Sequence, residues 1–138
     1  MNRFEDAVHT ARRTEGELAA DRFSELWIET QNAMLGDSVD LAGYETWWSY
    51  VPHYVVSPGY VYAYAYGYLF SLAIFRRWER EGDSLVEPYL DLLRAGGSQA
   101  PEDLAAIVGL DLSDRALWED GLAAVDELLA EAEELAGA

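Results

Sequence analysis

The chain has 138 residues, 51% hydrophobic and 13% aromatic, with 26 acidic and nine basic side chains and a formal charge of −17. That length and apolar content fit one domain of residues 1–138 with its own core and argue against disorder. The charge argues against a nucleic-acid partner, which needs a basic footprint, and against a membrane held by anionic lipid.

Every basic residue is Arg, and the absence of Cys excludes disulfides, thiol nucleophiles and Cys-ligated metal. The opening MNRFEDAVHT has no apolar signal core, so the expectation is a cytoplasmic protein. The most apolar stretch, Val51 to Phe75, is interrupted by His53, Pro, Gly and many Tyr, which suits a buried aromatic segment and not a bilayer span of roughly 20 clean apolar residues.

In chain order, residues 2–14 read as a helix, with Phe4, Ala7, Val8 and Ala11 at helical spacing and Gly16 as the break. A second helix runs from about Leu18 to Met34 on the stripe Phe23, Leu26, Trp27 and Ala33, stopped by Gly36. GDSVDLAG is turn-rich, and YETWWSYVPHYVVSP places Tyr44, Trp47, Trp48, Tyr50, His53 and Tyr54 in a loop or short helix. Val51 precedes Pro52 and is biased to extended backbone, so a helix through the tryptophans should end near Tyr50.

Ser57-Pro58 has the N-cap and first-turn signature of a helix start. Tyr60, Tyr62, Tyr64, Tyr66 and Tyr68 alternate as in a strand, but the run from Pro58 to Arg80 exceeds usual strand length, so it reads as one long buried helix ended by Gly82. Such a helix puts Tyr60, Tyr64 and Tyr68 on one face. The next helix, capped at Asp83 or Ser84, runs to Arg94 with Leu85, Val86, Tyr89, Leu90 and Leu93 inward. After the loop Gly96-Gly97-Ser98, Pro101 opens a short helix that Gly109 closes. The last helix begins at Ser113 or Asp114 on the stripe Leu117, Trp118, Leu122, Val125, Leu128, Leu129 and Leu135. The fold class is therefore all-α, a bundle of about five to six helices. The last 38 residues carry eleven acids against Arg115 alone, a pattern that reads as a solvated face.

Chemistry is sparse. His9 and His53 are the two histidines, and there is no His-Glu-x-x-His, phosphate loop or nucleophile elbow. Ten aromatic residues fall between Tyr44 and Tyr68. A tyrosine-rich core must give each buried hydroxyl a partner, so either these phenols reach backbone and surface or some line a wet cleft. His53, in a loop at a helix mouth, could donate to an oxyanion, accept a proton, or be structural. Glu5 and His9 share a helix face; two ligands are too few for zinc, and the pair is better read as orienting a neighbouring element.

The segments RFEDAVHTARR, GELAADRFSELWIETQNAMLGDSV, YETWWSYVPHYVVSPGYVYAYAYGYLFSLAIFRRW, YLDLLRAGGSQAPEDL and GLDLSDRALWEDGL, in unbroken order, resemble the C-terminal part of oligoendopeptidase F. These are zinc metallopeptidases of the thimet-oligopeptidase superfamily. The resemblance implies a C-terminal segment of an endopeptidase acting on short peptides, whose zinc is held by a His-Glu-x-x-His motif and a further Glu before Met1. It implies no cofactor in this chain and no activity for it alone.

His53 matches the family's loop histidine, and with Tyr60 it would stabilise the transition state. Tyr62, Tyr64 and Tyr68 would bind substrate. Glu5 and His9 match a helix underlying the active site, in a supporting role, and Gly67 a close helix approach. The expected partners are peptide substrate, a zinc-bearing N-terminal half and a second copy of the chain, since a face that packs on that half would expose apolar surface. The alternatives are a stand-alone helical peptide-binding module and one half of a split peptidase.

Overall fold

The computed structural model describes residues 1–137, which contain helices, turns and loops and no strand. The chain forms two compact units, Met1–Ala63 and Tyr64–Ala138.

In the first unit, α1 (Asn2–Glu15) packs on α2 (Ala20–Leu35). Both end at glycines with positive φ, Gly16 at +90° and Gly36 at +55°, a conformation that other residues adopt only with strain. Phe4, Ala11, Leu26 and Trp27 form the core, with Phe23, Tyr44, Trp48 and Tyr54 against it. The rings meet edge to face, Phe4 at 5.1 Å from Trp27 and 5.0 Å from Tyr54, the arrangement favoured by aromatic quadrupoles. Trp48 stacks on Phe23 and donates from Nε1 to Ser24 Oγ at 3.2 Å, fastening the loop to α2. The tryptophans lie in a 3-10 turn, Trp47–Tyr50, and Val51 is extended before Pro52, as the X-Pro restriction requires. One helical turn follows, α3 (His53–Val56).

The long helix starts later than its sequence signature. Ser57-Pro58-Gly59-Tyr60 is a β-turn, closed by the Tyr60 N–H donating to the Ser57 carbonyl at 3.2 Å. Gly59 has φ +81°, and Pro followed by a positive-φ Gly is the residue order of a type II turn. This diverts the chain, so α4 spans Tyr62–Glu81 and Tyr60 stands outside it, off the face shared by Tyr64 and Tyr68. Nor is α4 a buried helix: Tyr62, Tyr64, Tyr68, Phe75 and Trp78 are exposed, and Ala73 and Ile74 are its buried residues.

In the second unit, Ile74, Leu85 and Val108 form a core with Phe70, Leu92 and Leu110 packed on it. They come from α4, the 3-10 turn Gly82–Leu85, and the segments around α5 (Val86–Ala95) and α6 (Pro101–Ile107). Pro101 occupies the first turn of α6, where its missing N–H costs nothing. Arg77 closes the other end of α6, donating from Nη1 to the carbonyls of Val108 at 2.8 Å and Gly109 at 2.5 Å. Asp114 caps α7 (Arg115–Ala136), its side chain accepting the Ala116 N–H at 2.9 Å.

The α4–α7 contact is close at Gly121, where a Cβ would stand 2.7 Å from the Leu69 carbonyl oxygen. At Gly67, where a close approach was expected, a Cβ would meet nothing within 4 Å among the described residues. Ion pairs Arg76–Glu127 and Arg80–Asp120 link the same two helices.

Several residues expected inward face out. Leu122, Leu128, Leu129 and Leu135 on α7 are exposed, as are Val86, Tyr89 and Leu93 on α5. Phe75, Trp78, Val86 and Tyr89 flank an apolar groove of about 330 Å³ floored by Ile74 and Leu85. Among the described residues no helix is long and apolar enough to cross a membrane.

Candidate functional site

The first unit brings the loop histidine and the first tyrosine of the run together. His53 opens α3, half-buried, and Tyr60 follows the Pro58-Gly59 turn. Their rings stack with centroids 4.9 Å apart and planes 14° from parallel. Because the turn reverses the chain within four residues, two side chains seven apart in sequence meet face to face. Tyr60 is 48% exposed, so part of its side chain lies at the surface.

The turn has an anchor. Its closing bond uses the Tyr60 N–H, which leaves the Gly59 N–H without a partner inside the turn. That N–H donates to Glu5 Oε1 at 2.5 Å, across 54 residues of sequence. Glu5 is 7% exposed, a buried carboxylate on α1, and His9 Nε2 lies 3.9 Å from the same oxygen. A carboxylate this buried needs a charge-assisted donor, and the amide supplies one. Asn2, Asp6, Arg13 and Pro58 join Glu5, His9 and Gly59 around a wide depression of about 450 Å³.

Of the other tyrosines, Tyr62 is exposed at the start of α4 in the same unit. Tyr64 and Tyr68 are exposed further along α4 and belong to the second unit. Tyr66 differs, half-buried against Phe70 and Trp118. The run is thus mostly outward phenols, with Tyr66 half-buried.

Tyr54 is a group that the sequence left in the background. Its ring packs against the first unit's core, and among the described residues neither its hydroxyl nor Trp27 Nε1 has a hydrogen-bond partner. Burial, and then the nearby charge of Glu5, push the Tyr54 phenol up to about 12. The Pro58-Gly59 turn was readable from its Pro-Gly dipeptide, but the preceding Ser masked it as a helix cap.

A catalytic metal would need three protein ligands. Among the described residues no three His, Cys, Asp or Glu side chains converge as a metal group. Glu5 and His9, with the Glu5 oxygen already engaged by an amide, do not fit a zinc site.

These observations define an all-helical module that presents an imidazole–phenol pair on an anchored turn. The sequence matches Peptidase family M3 over residues 1–124, and the chain belongs to that family. It is 31% identical to Oligopeptidase PepF of Bacillus subtilis (strain 168) over 135 residues, covering 96% of this chain and 20% of that protein. It is 39% identical over 70 residues to the Oligoendopeptidase F homolog of Borreliella burgdorferi, covering 51% of this chain and 12% of the relative. Group B oligopeptidase PepB of Streptococcus agalactiae is 27% identical over 135 residues, with 96% and 22% covered. The chain thus spans about a fifth or less of the length of these curated relatives. No solved structure matches it.

Proposed function

We propose that this chain is the substrate-binding and oxyanion-stabilising segment of an oligoendopeptidase-F-like zinc peptidase that hydrolyses short peptides in the cytoplasm. The observation that carries the reading is the His53–Tyr60 stack, set on an anchored turn in a chain of family M3.

The chemistry asked of the pair is modest. When water attacks a peptide carbonyl, negative charge develops on the carbonyl oxygen. On this reading the stacked His53 and Tyr60 rings bring an imidazole N–H and a phenol O–H to that oxygen, and donors held in advance are the condition for electrostatic stabilisation. Tyr62, Tyr64 and Tyr68 supply exposed phenols suited to peptide backbone. Among the described residues no three His, Cys, Asp or Glu side chains gather as a metal group, and the reading assigns the zinc to residues outside this segment. The coverage of about a fifth of the relatives favours a zinc-bearing partner segment, joined to this one or separate.

The isolated chain, assayed with added zinc on a quenched peptide, is expected to show no chelator-sensitive turnover; such turnover would refute the division of labour. A chimera carrying this chain in place of the matching segment of the Bacillus subtilis relative should cleave the peptide. In it, His53→Ala and Tyr60→Phe should each lower kcat roughly 10²- to 10³-fold with a smaller change in KM, the size expected for one lost oxyanion donor. An active chimera indifferent to both substitutions would remove the pair from the mechanism.

A further inference from the structure

We infer that Glu5 is a positioning residue for the His53–Tyr60 pair, acting through the Gly59 amide. The inference rests on the reading of that pair as oxyanion donors and adds what holds it in place.

The geometry is specific. A β-turn closed by its fourth residue leaves the N–H of its third residue pointing away, and here that group belongs to Gly59. Glu5 receives it at 2.5 Å. Glu5 lies on α1, next to Phe4, whose ring is fixed in the core against Trp27 and Tyr54. The carboxylate therefore transmits the position of a packed helix to a turn of exposed residues, Ser57, Pro58, Gly59 and Tyr60. Tyr60 follows Gly59 directly, and its ring rests on His53. The turn's own closing bond is an exposed hydrogen bond at 3.2 Å, and exposed segments of this kind open locally at little cost, so a restraint from the packed helix adds to their order. The role needs an acceptor at Oε1 and does not need the charge. His9 sits 3.9 Å from that oxygen, beyond a hydrogen bond, and reinforces the site electrostatically only when protonated.

The test uses the chain alone and needs no turnover, so it stands apart from the activity assays. Two-dimensional NMR would follow the Gly59 amide, the ring contacts between His53 and Tyr60, and those between Phe4 and Trp27 as a control for the core. Glu5→Gln keeps a carbonyl oxygen at the acceptor position; it should retain the His53–Tyr60 contacts while the Gly59 amide moves upfield on losing its charged partner. Glu5→Ala should lose those contacts and speed Gly59 exchange about tenfold or more, with the Phe4–Trp27 contacts intact. If Glu5→Ala fails to fold, Glu5→Asp, one methylene too short to reach the amide, replaces it with the same expected loss. The inference is overturned if His53 and Tyr60 stay in contact in the Ala or Asp variant, if Gln loses the contacts as completely as Ala, or if every variant loses the Phe4–Trp27 core as well, which would make Glu5 a purely structural group.

Discussion

Among single side chains, Tyr54 joins the core to the site. Its ring packs against both Phe4 and Trp27, yet its hydroxyl is buried with no hydrogen-bond partner among the described residues. Forming a phenolate there would strip it of water and set it near Glu5, so the proton is held up to about pH 12 against the ordinary value of 10.0. The sign for stability follows from linkage. Below pH 10 folded and unfolded chains both keep the proton and Tyr54 contributes no pH dependence. Between about 10 and 12 the unfolded chain binds fewer protons, so stability falls as pH rises, and the fall ends above the folded value. Thermal melts followed by circular dichroism should therefore show a steeper loss of Tm across that window in the wild type than in Tyr54→Phe. Near neutral pH the variant should be at least as stable, within about 1 kcal/mol, because the deleted hydroxyl makes no hydrogen bond. Equal pH dependence in both proteins would mean that the phenol is not buried as described.

At the level of elements, α4 and α7 contain two glycines with opposite expectations. Gly121 lets the helices close to a distance at which a Cβ would stand 2.7 Å from the Leu69 backbone oxygen, so Gly121→Ala must push backbone against backbone. The gain in helix propensity, about 1 kcal/mol, is set against overpacking of about 1–3 kcal/mol, and the variant should melt lower. Gly67 faces open space, and Gly67→Ala should melt higher by the propensity alone, about 0.5–1 kcal/mol. Differential scanning calorimetry on both variants checks the pair of signs; a stabilised Gly121→Ala would place the α4–α7 contact elsewhere.

The same elements show what could be read beforehand. Helices whose ends carry local chemistry were legible: Gly16 and Gly36 as stops, Pro101 as a first-turn residue, and a cap at Ser113 or Asp114, of which Asp114 is the one used. The start of α4 was not, because Ser-Pro followed by Gly satisfies both a helix cap and a type II turn, and only the φ of +81° at Gly59 separates them. Periodicity also marked the leucines of α7 as a stripe but could not say what covers it: a face packed within the chain and a face left open have the same spacing. His53 and the tyrosines stood out by type, whereas their arrangement depends on a backbone amide, which has no signature in residue identity.

For the whole molecule, two properties oppose each other. The formal charge of −17 keeps copies apart, and among the described residues Arg76, Arg80 and Arg115 pair with three of the acids of α7, Glu127, Asp120 and Glu119. Against it stand Phe75, Trp78, Val86 and Tyr89 around an open groove and Leu122, Leu128, Leu129 and Leu135 along α7, an amount of exposed apolar surface that favours association. The apolar attraction acts at contact, while the repulsion extends over a Debye length of about 10 Å at 0.1 M salt and about 3 Å at 1 M. Salt should therefore release self-association. Sedimentation velocity at micromolar concentration is expected to show the dimer or higher fraction rising between low salt and about 0.5 M sodium chloride. Phe75→Glu should suppress that rise if the groove forms the contact, and Leu129→Glu should do so if the contact lies on α7. A monomer at both ionic strengths would show that neither face is sufficient to join two copies of this chain.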